Sequence, residues 1–139
     1  NVAADVWSVP SFNELRRDAM DVERWNMLHP LEKPRVPYVL QQLANAKGPA
    51  VAATDYMRTY PEQIRPYLNE RHFIALGTDG FGRSDLRSQL RKHFEVNRHY
   101  IVVAALKALA DTGEVEPKVV AQAIKAYKID PDKPNPVTV

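Results

Sequence analysis

Three glycines within nine residues mark the centre of this chain and limit the folds that it can adopt. They lie in Gly77–Asp85, between the apolar run Phe73–Leu76 and a basic segment with Leu86, Leu90 and Phe94 at four-residue spacing. The apolar run is typical of a short buried strand, and the spacing is typical of one helical face. Because glycine accepts positive φ and close backbone approach, the stretch predicts a sharp strand-to-helix turn that exposes backbone amides. Ligands and partners of open α/β sheets usually meet the fold at such a corner.

The remaining elements are predicted to alternate around this turn. Strands are expected at 2–9, 49–54 and 73–76. Five helices are expected: one from the capping box at Ser11, one over 35–47, one directly after the glycine turn, one over 98–112 and one from Pro117. Prolines predict an irregular stretch over 25–34 and a broken helix over 56–68. This order predicts parallel strands joined by crossovers, hence an α/β three-layer sandwich. Because the opening strand has no lead-in, we expect the first strand and helix of the domain to be missing from this sequence.

Two further stretches are unusual. The predicted helix over 98–112 is almost entirely apolar between Ile101 and Leu109, so it is expected to be deeply buried or shared with a partner chain. The segment 130–136 contains three prolines and cannot pack as a regular element. The sequence therefore predicts one domain over 1–129 and a Pro-rich tail over 130–139.

Composition excludes several classes of site. With 45% hydrophobic and 26% charged residues, the 139-residue chain has the composition of a soluble globular domain, and no apolar run approaches the roughly 20 residues that span a membrane. The absence of cysteine excludes disulfides, thiolate nucleophiles and zinc-thiolate sites. A net charge of +2 does not by itself indicate a nucleic-acid-binding protein.

The candidate functional residues each have a plain structural alternative. The glycine turn, with Arg83 beside it, predicts either an anion or partner site made of backbone amides or a simple strand-to-helix turn, and it matches neither the dinucleotide nor the P-loop fingerprint. His29 and His72 lack a companion at ligand spacing and are expected to be surface or structural histidines, and not bases or metal ligands. A basic segment follows the turn and is expected to contact phosphate, carboxylate or an acidic partner, or to form a solvated helix face. It comprises Arg83, Arg87, Arg91, Lys92, His93, Arg98 and His99.

Several longer strings resemble the bacterial homodimeric pyruvate dehydrogenase family, the decarboxylating first components of the pyruvate dehydrogenase complex, within the transketolase-like superfamily. These strings cover nearly the whole chain and are more specific than any short motif. They are Asp5–Val9, Ser11–Asp18, Arg24–Pro30, Pro34–Tyr38, Thr54–Met57, Leu76–Asp85 and His93–Val96.

The resemblance implies a transketolase-like C-terminal domain, with a five-stranded, mostly parallel mixed sheet between helices. Family members use thiamine diphosphate and magnesium to decarboxylate pyruvate, and then reductively acetylate the lipoyl groups of the acetyltransferase core. Those cofactor sites lie in two preceding domains, so this segment is expected to hold no catalytic, cofactor-binding or metal-binding residue and to be inactive alone.

The resemblance also implies the partners and the place of the chain. These are the remaining domains of the same enzyme, a second subunit of a homodimer and the dihydrolipoyl acetyltransferase core in the bacterial cytoplasm, with no nucleic acid or membrane. The glycine turn is expected to contact another domain or partner through Asp79, Gly80, Phe81, Gly82, Arg83, Ser84 and Asp85. Two alternatives remain, namely a non-catalytic interaction or dimerisation module and a nucleic-acid-binding domain that uses 83–99.

Overall fold

A computed structural model of the chain describes residues 2–139, and they divide into two compact units. The first unit comprises the described residues up to Lys47 together with Glu62–Glu70. The second unit comprises Gly48–Pro61 and Arg71–Val139, and it contains both strands and the glycine turn. None of the helices within residues 2–139 is long and apolar enough to cross a membrane.

The first unit is built on the helix α1, Phe12–Leu28. Its predicted start is confirmed, because Ser11 Oγ accepts a hydrogen bond from the backbone N–H of Glu14 at 3.2 Å. Ala19 and Val22 lie buried on the predicted inner face. The expectation of an irregular stretch from residue 25 is wrong at its start, because no helix breaker precedes Pro30 and the helix therefore continues to Leu28.

The second helix of this unit, α2, is Tyr38–Gln42 and is shorter than the predicted 35–47. Asn26 explains the late start, because its side chain accepts from the Arg35 N–H at 2.8 Å and donates to the Arg35 carbonyl at 3.0 Å. Those backbone groups are therefore held outside a helix. Asp18 Oδ2 then accepts from the N–H of Tyr38 at 2.7 Å, so α1 supplies a hydrogen bond to the first turn of α2.

The opening strand predicted at 2–9 is absent from the described residues. Val6 is 94% exposed and Trp7 is 52% exposed, so the apolar side chains of this segment are not packed in a core. A strand needs a neighbour that takes its backbone hydrogen bonds, and the two strands of the described sheet pair with each other. The apolar composition of residues 2–9 is therefore not sufficient for a strand, because neither described strand pairs with them.

The second unit contains a sheet of two strands, β1 (Ala50–Ala53) and β2 (Phe73–Leu76). They pair in parallel, with Ala50 opposite Phe73 and Ala53 opposite Leu76. The α/β class and the parallel pairing are thus confirmed, whereas the described sheet has fewer strands than the five that the resemblance implies. Phe73 and Ala75 are buried on one face of β2.

The segment between the strands forms two short helical pieces, as the prolines predict. Helix α3 is Thr59–Glu62, and a 3₁₀ turn follows at Arg65–Tyr67. Pro61 lies inside α3 and Pro66 lies inside the 3₁₀ turn. Each proline lacks an amide donor, so one continuous helix is not formed.

Helix α5, Arg98–Asp111, packs against both strands and against α6, Pro117–Ala126. Its start is fixed by Asn97, whose Oδ1 accepts from the backbone N–H groups of His99 and Tyr100 at 2.9 and 3.2 Å. It ends just before Gly113, which has a φ of +79°. Of its apolar residues, Ala104 and Ala108 are buried and Val102 is 38% exposed, so the helix is not deeply buried along its whole apolar stretch.

Candidate functional site

The candidate site lies where the two parallel strands end. The loops that follow β1 and β2 begin at the same edge of the sheet, because Ala53 pairs with Leu76 and the Thr54 N–H donates to the Leu76 carbonyl at 3.0 Å. Ligands of open parallel sheets bind at this carboxyl edge. We refer to residues 54–58 as the first edge loop and to residues 77–86, which include the glycine turn, as the second edge loop.

The two edge loops are joined by backbone and side-chain hydrogen bonds. Thr78 donates from its N–H to the Tyr56 carbonyl at 2.8 Å and from Oγ1 to the Asp55 carbonyl at 3.2 Å. Gly77 is required by this approach, since a Cβ at this position would lie 2.6 Å from both the Arg58 backbone nitrogen and the Tyr56 carbonyl oxygen. The glycine turn is therefore anchored to the first edge loop at its first two residues.

Asp79 extends the connection with a charged contact. Its Oδ2 accepts from the backbone N–H of Arg58 at 3.2 Å and from Arg58 Nε at 2.9 Å. The Asp79 side chain is 22% exposed, which makes it the more buried partner of the pair. This carboxylate thus fixes the backbone and the guanidinium of the first edge loop at once.

Gly80 is held by the C-terminal segment. Its φ is +110°, and an added Cβ would lie 2.2 Å from the Pro136 carbonyl oxygen. Pro136 is itself buried. Lys133, in the same segment, makes a second set of contacts, because its Nζ donates to the His93 carbonyl and to Glu95 Oε1, each at 2.8 Å. The Pro-rich segment forms no helix or strand, yet it packs by these contacts.

Beyond Gly80 the glycine turn is exposed to solvent. Phe81 is 76% exposed, and a Cβ on Gly82 would meet no atom within 4 Å. Asp85 closes the turn, because its Oδ1 accepts from the Leu86 N–H at 2.7 Å immediately before the helix α4, Arg87–His93. The turn therefore has a fixed base and an exposed aromatic tip.

An open pocket of about 430 Å³ lies between the turn and α4. The pocket is lined by Arg83, Ser84, Asp85, Gln89, Leu90 and His93. Burial lowers the pKa of His93 below its ordinary value of 6.5, and the charges of Arg83 and Lys133 lower the pKa further, against an opposing effect of Glu95. The histidine is therefore biased towards its neutral form.

The basic segment does not form one continuous cationic face. Arg87 Nη2 lies 3.6 Å from Asp55 Oδ2, and Arg91 Nε lies 3.4 Å from Asp55 Oδ1. His99 stacks on Tyr127 with ring centroids 4.6 Å apart. Within the described residues, two of the arginines are thus paired with a carboxylate. Both histidines contact aromatic rings, since His93 also meets Phe94 edge-on at 4.9 Å.

The histidines expected to be structural have structural contacts. His29 Nδ1 is 2.8 Å from the Trp25 carbonyl, and its ring stacks on Trp25 at 4.3 Å. His72 Nε2 lies 3.5 Å from Asp111 Oδ2. Across residues 2–139, no group of three or more His, Asp or Glu side chains is arranged to hold a metal ion.

Sequence reasoning found the glycine turn but missed the residues that hold it. Arg58 and Pro136 lie far from the turn in sequence, and no local pattern links them to Asp79 or Gly80. The pairing of Asp55 with Arg87 and Arg91 was also missed, although the i,i+4 spacing of the two arginines places them on one helical face. Gln89 gave no sequence signal, because it is one polar residue on an exposed helix.

Comparison with known proteins identifies the fold family. The family model described as "Transketolase-like TK C-terminal domain" matches residues 1–97, more than half of the chain. The chain belongs to this family. The relation agrees with the α/β class and with the parallel strands of the second unit.

Curated relatives of this transketolase-like C-terminal domain carry the name pyruvate dehydrogenase E1 component. The relative from Pseudomonas aeruginosa is 60% identical over 98% of the chain, and that from Escherichia coli K12 is 59% identical over 97%. The relative from Cupriavidus necator is 54% identical over 99% of the chain. The chain spans about 15% of the length of each of these relatives.

Proposed function

We propose that this chain is the C-terminal part of a pyruvate dehydrogenase that depends on thiamine diphosphate, decarboxylates pyruvate and reductively acetylates lipoyl groups. The observation that carries the proposal is the 60% identity to a pyruvate dehydrogenase E1 component over 98% of the chain. The matched region covers 98% of the chain, so it includes both edge loops and the apolar helix α5. A shared fold without a shared parent enzyme would not require such extended identity.

The cofactors are assigned to other parts of that enzyme. The family resemblance implies that thiamine diphosphate and Mg²⁺ are held by the two preceding domains, and we therefore assign the residues of this chain no catalytic step. The segment alone is proposed to be inactive.

The role that we assign to the chain is the support of assembly through the glycine turn, Asp79–Asp85. Asp79 and Gly80 fix the base of the turn, while Phe81 is 76% exposed at its tip. Arg83 forms no ion pair with any described residue, so its planar guanidinium remains available for a carboxylate. An exposed aromatic ring beside an unpaired arginine has the composition of an interface anchor.

The proposed partners follow from the pyruvate dehydrogenase assignment. They are the remaining domains of the same polypeptide, a second subunit of a homodimer and the dihydrolipoyl acetyltransferase core, in the bacterial cytoplasm. The nucleic-acid alternative is less well supported, because Asp55 pairs with both Arg87 and Arg91. A DNA-binding helix would direct those cations to phosphates.

The activity is tested on the full-length protein that carries this sequence. We expect pyruvate-dependent acetylation of an isolated lipoyl domain that requires both thiamine diphosphate and Mg²⁺. The 139-residue chain serves as the matched control, and calorimetry should detect no micromolar binding of thiamine diphosphate with Mg²⁺ to it. A full-length protein that binds the cofactor but leaves pyruvate unchanged would contradict the assignment.

A further inference from the structure

The pocket between the glycine turn and α4 shares Arg83, Ser84 and Asp85 with the proposed assembly surface, and the α4 part of its lining is not used by the assembly role. Its polar groups come from two directions, with Arg83 and Ser84 from the turn and Gln89 and His93 from the helix. Leu90 adds an apolar wall. At about 430 Å³ the pocket falls within the size range of small-molecule sites, which also combine a few polar groups with apolar walls.

The charges around this pocket favour an anion at its Arg83 side. Arg83 has no ion-pair partner among the described residues. Asp85 also lines the pocket and keeps its negative charge, and its Oδ1 accepts from the Leu86 N–H at 2.7 Å. The cation Lys133 is already satisfied by Glu95. A guanidinium offers a planar pair of donors that matches the two oxygens of a carboxylate or phosphate group.

The pKa of His93 depends on the charge at the Arg83 side of the pocket. Its Nε2 is buried and has no hydrogen-bond partner within the described part of the chain, and the nearby charges of Arg83 and Lys133 disfavour its protonated form. The other charged groups near it are Asp85 in the pocket lining and Glu95. An anion that neutralises Arg83 therefore removes one of the charges that oppose protonation of His93.

We propose that this pocket is a binding site for a small oxyanion, a carboxylate or phosphate group, held by Arg83 with Ser84 and Gln89 beside it. By thermodynamic linkage, binding of the anion and protonation of His93 reinforce each other. The site shares Arg83 with the proposed docking surface but needs no partner domain and no enzymatic activity. Its failure and the failure of the pyruvate dehydrogenase assignment are therefore measured separately.

The test is a titration of the full-length protein followed by imidazole NMR, in which the His93 signal is identified by its absence from His93→Gln. The probes are acetate and inorganic phosphate, each exchanged against chloride at constant ionic strength. We expect a saturable shift of the His93 signal towards the protonated position, and tighter binding as the pH falls. The probe that saturates at the lower concentration identifies the anion class.

Variants separate a built site from general ionic effects. Arg83→Gln should weaken binding about tenfold or more, the loss expected for a hydrogen bond to a charged group. Gln89→Glu should also abolish the shift, because it adds a negative charge to the lining while Arg83 remains. Lys92→Gln is the matched control, since it removes a cation from the same helix outside the pocket lining and should leave binding unchanged. A non-saturable shift, or an equal response in Arg83→Gln, overturns the proposal.

Discussion

Each of the three glycines in the central turn has a different structural role, although the sequence suggested one role for all. Gly77 permits the close approach of the first edge loop, and Gly80 adopts a φ of +110° against Pro136. Gly82 meets neither demand, because space is open where its Cβ would lie. Local sequence predicts that a turn forms here, but only the tertiary neighbours decide which glycine is required.

At Gly80, we predict that Gly80→Ala destabilises the second unit by about 1–3 kcal/mol. The cost arises because a residue with a Cβ is strained at this φ and would meet the Pro136 carbonyl. Gly82→Ala is the control and should be neutral or stabilising by up to about 1 kcal/mol. Urea unfolding of both variants measures the difference, and equal stabilities would show that the C-terminal segment does not pack on the turn.

The titration of His93 predicts a loss of stability in mild acid. Its pKa in the folded chain is lowered by burial first, and then by Arg83 and Lys133. The unfolded chain, with a pKa near 6.5, therefore binds the proton more readily than the folded chain. The contribution of His93 to stability is fully present above that value, and it is lost as the pH falls from about 6.5 through the folded pKa.

The measurement is the free energy of unfolding of the wild type and of His93→Gln over a pH series from about 7.5 to about 5. We expect the variant to show a smaller decrease in stability on acidification. Parallel pH profiles for the two proteins would mean that His93 has the same pKa in the folded and unfolded states. Phosphate and acetate are omitted from these buffers, since the pocket proposal predicts that they alter the same pKa.

At the scale of elements, the helices and strands whose formation depends on residues close in sequence were predicted well. Strand β2 occupies the predicted residues, and α5 begins after the predicted cap Asn97, because apolar runs and capping side chains act over a few residues. Helix α2 was predicted too long, since Asn26, nine residues away, holds the backbone of Arg35. The strand expected at 2–9 failed for the same reason, because its formation depends on a distant neighbour.

Two carboxylates fix the edge loops to their neighbours, since Asp79 joins the second edge loop to the first and Asp55 joins the first edge loop to α4. Asp79→Ala should cost about 1–3 kcal/mol, because this mostly buried carboxylate accepts from both the backbone and the side chain of Arg58. Asp55→Ala should cost less than about 1 kcal/mol, since its side chain is 54% exposed and its two arginine contacts are long. Thermal unfolding ranks the two variants. A larger loss for Asp55→Ala would show that the exposed pairs with α4 contribute more to stability than the Asp79 contact.

At the scale of the whole molecule, the family of the chain is established, whereas its enzyme activity is proposed. The transketolase-like C-terminal family is established by the match over residues 1–97 and agrees with the parallel α/β architecture. The enzyme activity is a proposal, because the chain spans about 15% of the length of the relatives. The geometry of the candidate site does not by itself identify pyruvate as a substrate. Sequence resemblance carried that part of the inference.

The central claim is that the Asp79–Asp85 turn serves assembly and performs no chemistry, and Arg83→Ala in the full-length enzyme tests it most directly. We expect weaker subunit assembly or a higher apparent requirement for thiamine diphosphate, because loss of one partner from a buried charged contact costs on the order of 3 kcal/mol. Arg98→Ala, which removes an exposed cation outside the turn, is the matched control.

The decisive measurement compares assembly by sedimentation with single-turnover decarboxylation of pyruvate under saturating cofactor. The account predicts that Arg83→Ala impairs assembly while the assembled fraction decarboxylates pyruvate at the wild-type rate. Normal assembly and normal cofactor binding together with a steep fall in the single-turnover rate would contradict it, and would place the turn in the active site.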